Sequence, residues 1–229
     1  RMQRAINALV NALKWPIAVA ALLLLPGSLT SMRPALDRLL EVPEHALPFI
    51  LGFGGYVVGW WLLFRKHIWG SAFSTLEHEL THALFAVLTF HRVKSIKATW
   101  RQGGVMQFEG GGNWLIMIAP YFVPTLSLVV MAVMFFLDDG GPRWLHIGLG
   151  ATVSYHVTST WRETHREQTD LQEVGFLFAF LFLPAANILS YGLIFAIVAG
   201  GWPAGIEYLG AAYNSALTLA SGLYSYLPF

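Results

Sequence analysis

Three side chains within little more than one helical turn can do chemistry together. They are His78, Glu79 and His82, in the stretch "SAFSTLEHELTHALFAVLTF" at residues 71–90. Residues four apart on an α-helix differ by about 40° in direction and about 6 Å in height, so His78 and His82 can offer two imidazole nitrogens to one metal ion. Glu79 is then not a ligand but stands where a water beside the metal would be. In the H-E-x-x-H spacing zinc brings the pKa of that water toward about 7, and the glutamate accepts its proton as it attacks a carbonyl. Glu79 is the expected general base, and one zinc ion the expected cofactor.

The surroundings strengthen the metal reading. The motif lies about ten residues into an otherwise apolar run, near the middle of a bilayer if that run crosses one. A charged side chain at that depth costs several kcal/mol unless something binds it, and a cation answers the need of His78, Glu79 and His82 together. Cysteine is absent, so any metal is held by His, Asp or Glu. Glu77 points about 100° away from His78 and reads as a supporting group or the partner of a base.

The elements that must carry this motif are membrane helices. Of 229 residues, 55% are hydrophobic and 12% charged, roughly half the usual charged share, and mean hydropathy is +0.55. Too little charge is available to cover a water-facing surface, so the expected partner is the lipid bilayer. A formal charge of +1 with no long basic run gives no footing for a nucleic-acid partner. Six stretches are long and apolar enough to span, at about Ala8–Leu29, Ala46–Phe64, Trp69–Phe90, Trp114–Leu137, Trp144–Trp161 and Val174–Ala199. A weaker seventh follows at Ile206–Tyr226. Tryptophans near the proposed ends, among them Trp60, Trp114, Trp144 and Trp202, suit an aromatic belt. The expectation is an all-α polytopic membrane protein of about six to seven transmembrane helices in one membrane domain. Residues 1–68 are accessory helices, 69–199 the catalytic core and 200–229 a C-terminal segment.

Two connections break the helical pattern. In 91–113, Val93, Ser95, Lys97 and Thr99 alternate with Lys94, Ile96 and Ala98, Gln102-Gly103-Gly104 signals a turn, and "VMQFE" can return, which predicts a short membrane-associated β-hairpin. Gly110-Gly111-Gly112 after it would let another backbone approach closely. The other connection, "RETHREQTDLQE" at 162–173, is the most polar stretch of the chain and reads as the start of the sixth span.

HELTH within an apolar helix, a Gly-rich hairpin and a further span together resemble the site-2 protease family of intramembrane zinc metalloproteases, over roughly residues 70–190. The resemblance implies a peptidase whose hairpin edge receives the substrate as an added strand. An unwound membrane segment must have its backbone groups satisfied, and a strand edge does that. On that reading Gly110, Gly111, Gly112 and Asn113 are candidate substrate contacts, and so is Asn187, beside Pro184, because family members carry a substrate-contacting asparagine near this region. The substrate would be a membrane protein or peptide. The compact architecture, without a PDZ insertion, suggests a multi-pass bacterial or archaeal cytoplasmic-membrane member.

Catalytic zinc commonly has three protein ligands and one open position. The resemblance implies a later aspartate in a Leu-Asp-Gly motif, and this chain has no such triplet. Asp138 and Asp139 fall in "LDDGGPR", a turn between helices; Asp170, in "EQTDLQEVG" at the polar start of the sixth span, is the expected third ligand. Three alternatives stay open. His156 lies within the fifth span, where a bond inside a polar helix face competes with metal binding. A glutamate ligand, Glu167 or Glu173, would make the site resemble a prenyl-protein endopeptidase. A non-catalytic metal-binding transporter or assembly factor is the third, although Glu79 has no use in a mere binder.

Overall fold

The computed structural model describes residues 2–64, 70–99, 103–137 and 141–225. Asp138 and Asp139 with the turn read there, Arg101 and Gln102 of the hairpin turn, and the span ends Trp69 and Tyr226 lie outside the described residues. The chain is mostly helical with one two-stranded hairpin. In order it forms α1 (Met2–Ala12), α2 (Lys14–Glu41), α3 (Pro43–Gly59), which runs on into a π-helical turn at Trp60–Phe64, and α4 (Gly70–Leu88). Then come β1 (Val93–Thr99), β2 (Gly103–Phe108), α5 (Trp114–Ile118), a 3-10 turn at Ala119–Tyr121, α6 (Thr125–Phe135), α7 (Arg143–Glu163), α8 (Thr169–Val174) and α9 (Phe176–Ser225).

Among the described residues three helices, not the six to seven expected, are long and apolar enough to cross a membrane: Lys14–Glu41, Pro43–Leu62 and Phe176–Ser225, with α4 and α7 not among them. A fourth crossing exists if the bent pair Trp114–Tyr121 and Thr125–Phe135 counts as one. That pair stands where one continuous span over Trp114–Leu137 is expected, and its two parts meet at 80°. Pro120 and Pro124 account for the break, since each lacks an N–H and disfavours helical geometry in the residue before it. The first span also differs from expectation. Helix α2 begins at Lys14 and runs to Glu41, and residues 2–12 form a separate amphipathic helix.

Helix α9 joins two of the expected segments. Gly201, at φ +69°, breaks it ahead of Pro203, and the second half folds back on the first. The Tyr208 hydroxyl there donates to the Ile188 carbonyl at 3.0 Å. Small residues let the helices approach: a Cβ on Gly27 would lie 2.6 Å from the Ala212 carbonyl oxygen, and Gly52 and Gly150 bring the backbones of α3 and α7 together.

The hairpin foreseen from alternation is present. β1 and β2 are antiparallel, with Ile96 opposite Met106 and Thr99 opposite Gly103. β2 lies on α4: a Cβ on Gly104 would sit 2.5 Å from Thr75 Cγ2 and 2.6 Å from Glu79 Oε1. The hairpin's exit is pinned by α1, whose Gln3, Asn7 and Asn11 recur every four residues along one face. Their amides donate to the carbonyls of Glu109 at 2.6 Å, Gly111 at 2.5 Å and Gly112 at 3.5 Å. His91 Nε2 adds a bond to the Gly111 carbonyl at 3.0 Å.

One apolar core lies behind the site. Trp114, Tyr121, Leu171, Val174, Phe178 and Phe182 pack there with Ala18 and Ala21 of α2. Leu171 and Val174 bury one face of the six-residue α8, which turns Asp170 and Glu173 to another. Gly175, at φ +89°, ends α8 in a conformation costly for any residue with a Cβ and redirects the chain into α9.

Candidate metal centre and active-site cleft

Helix α4 sets His78 and His82 on one face, and both are buried. Each ring is oriented through Nδ1 by a group that only accepts. His78 Nδ1 lies 2.8 Å from Glu163 Oε2, and His82 Nδ1 lies 2.7 Å from the Ile116 carbonyl. A carboxylate and a carbonyl assign the proton of each imidazole to Nδ1 and leave Nε2 as a lone pair. Both Nε2 atoms face one oxygen of Asp170, at 3.2 Å from His78 and 3.3 Å from His82.

With both imidazoles neutral, three lone-pair donors point at one another. That arrangement fits a divalent cation: the ligand atoms of His78, His82 and Asp170 all lie within 4.8 Å of each other. Among the described residues no other group of three or more His, Cys, Asp or Glu is so disposed. Tyr121 steadies the aspartate, its hydroxyl donating to Oδ2 at 3.4 Å. Glu163 is held in turn by Ser74, whose Oγ donates to Oε1 at 2.5 Å.

The ligands open on a cleft of about 400 Å³. Thr75 and Glu79 of α4, Gly104 and Met106 of β2, and Gln168 and Glu173 on the far side are among its walls. Glu79 is therefore next to the three ligands without being one of them, under the β2 backbone. The centre stands beside Glu163, the last residue of α7, and so lies level with the end of that helix.

The comparisons with known proteins bear on the same residues. The family model described as Peptidase M50B-like matches residues 53–206, about two thirds of the chain. The chain belongs to the Peptidase M50B-like family. This is a site-2 protease family, and the membership marks the M50B-like chain as a membrane metalloprotease. The matched stretch contains His78, Glu79, His82, Glu163 and Asp170. No curated protein and no solved structure matches the chain.

Other sequence candidates of the M50B-like chain stand elsewhere. Gly110 and Gly111 run along α1 and do not line the cleft, while Gly112 and Asn113 line a smaller cavity beside it. Asn113 caps α5, accepting from the Ile116 amide at 3.2 Å, and its own amide donates to Asn7 at 2.8 Å. Asn187 donates to the carbonyls of Tyr121 and Leu183, both at 3.0 Å, outside the cleft. His156 is bonded to Tyr191 at 2.7 Å, away from the metal ligands. Glu77 turns to Thr81, at 3.4 Å, rather than to a base. Glu163 is the residue that sequence reasoning passes over, taking it for part of a solvated connection. The available signal is chemical: a metal-binding imidazole needs an acceptor at its other nitrogen, commonly a carboxylate.

Proposed function

We propose that the chain is a multi-pass zinc endopeptidase that hydrolyses a peptide bond of a membrane-protein substrate within or near the bilayer. One observation carries the reading: Nε2 of His78, Nε2 of His82 and a carboxylate oxygen of Asp170 converge beside Glu79 in a cleft walled by a strand. Zinc held by these three would supply the Lewis acidity that activates a water and polarises the scissile carbonyl.

The remaining work falls to the chain. Glu79 accepts the proton of the attacking water and returns it to the departing amine, the service of a general base and then acid. Glu163 and the Ile116 carbonyl hold both imidazoles in the tautomer that binds metal. The edge of β2 not paired with β1 offers amides and carbonyls to an unwound substrate. Gly104 keeps that strand close over Glu79, where a larger residue would press on Thr75 and Glu79.

The test is metal analysis of the purified protein alongside cleavage of co-expressed single-span reporter proteins. Glu79→Gln should keep the zinc of the parent protein and lower cleavage at least a hundredfold, roughly the low end for loss of a general base. Equal zinc with undiminished cleavage would overturn the proposal.

A further inference from the structure

The cleft does not end at the metal ligands. A second cavity of about 290 Å³ adjoins it, and Met117 and Glu173 line both. Asn11, Lys14 and Gly112 bound its outer part. A peptide leaving the reacting centre in this direction passes Glu173. On α8, Glu173 follows Asp170 by three residues, so the two share a face with Cβ atoms about 5–6 Å apart. An extended chain advances about 3.3 Å per residue. A substrate side chain within three residues of the scissile bond therefore reaches the Glu173 carboxylate.

The charges in the cleft are unevenly committed. Asp170 faces the two imidazoles, Glu163 is bonded to His78 and Ser74, and Glu79 lies under β2. Glu173 is exposed and makes no hydrogen bond or ion pair among the described residues. No Lys or Arg occurs among the described residues lining the cleft. Lys14, in the outer cavity, has its ammonium over aromatic rings, 5.3 Å from the centre of Phe178 and 5.7 Å from that of Trp15. An uncommitted carboxylate thus stands on the wall shared by the two cavities, where a basic side chain of a bound peptide can pair with it.

We infer that Glu173 determines specificity by receiving a substrate lysine or arginine within three residues of the scissile bond. The inference rests on the protease reading above. Its test uses single-span reporter proteins carrying Lys, Gln or Glu at each position around one end of the span, co-expressed with the full chain. The parent enzyme should cut its best Lys reporter about three- to fivefold faster than the matching Glu reporter, the yield of one partly exposed ion pair. Glu173→Gln should bring that ratio to about one, and Glu173→Lys should invert it, at equal zinc content. A ratio unchanged in Glu173→Gln overturns the inference while leaving the protease standing, even if Glu173→Lys cuts nothing. Absence of cleavage of every reporter by the zinc-loaded parent overturns the protease reading, and the inference with it.

Discussion

His78 has both ring nitrogens committed, one to Glu163 and one toward Asp170, so its usefulness as a ligand depends on a residue 85 positions away. Glu163→Ala should weaken zinc binding about ten- to a hundredfold, measured by competition with a chelator, because the ring loses the acceptor that fixes its tautomer. Asp170→Ala is expected to lose the metal and the turnover together. His156→Ala and Glu167→Ala should retain both, which zinc analysis of the three proteins decides. The pair His78 and His82 was legible from one chain because a helix repeats itself every 3.6 residues, and Glu79 came with them. Asp170 was reached partly by likeness to a family and partly by its place beside an apolar run. Glu163 was not legible. A residue whose role depends on how α7 meets α4 leaves no spacing in the sequence to read.

At the scale of elements, alternation gave away the hairpin, since a period of two is a local property. What the hairpin touches is not local. The run Gly110-Gly111-Gly112 looked like the place of close approach, and it does approach something, the polar stripe of α1. Gly104 is the glycine that meets Glu79. Gly104→Val should therefore cut turnover sharply while zinc stays bound, because its added carbons press on Thr75 and Glu79 and not on the ligands. Loss of zinc in step with activity would show that the strand supports the metal site itself. Interrupted helices were the harder elements to foresee. Hydropathy over Trp114–Leu137 is continuous, and only Pro120 and Pro124 mark the bend, as Gly200 and Gly201 mark the break in α9. Proline and glycine also occur inside α2, which continues through Pro26 and Pro34, so composition alone does not say which interruptions take effect.

For the whole molecule, a membrane protein was legible from charge and hydropathy alone, because those sums do not depend on tertiary packing. The place of the reacting centre among the helices was not, since it depends on which part of one helix meets which part of another. On the protease reading, that position has a consequence for where a substrate is cut. A centre fixed relative to one face of the bilayer would work as a ruler whose zero is that face. Lengthening a substrate's span by four leucines at the far end should leave the severed bond unchanged, and the same insertion at the near end should move the cut by about four residues along the chain. Mass spectrometry of the two product fragments reads this directly. A cut that follows a particular sequence wherever it lies in the span would mean that distance is not what the enzyme measures. Bilayers of different thickness extend the same test, since only the separation of the far face changes with them. An enzyme working in this way would recognise a position before it recognises a sequence, and many unrelated proteins share a position.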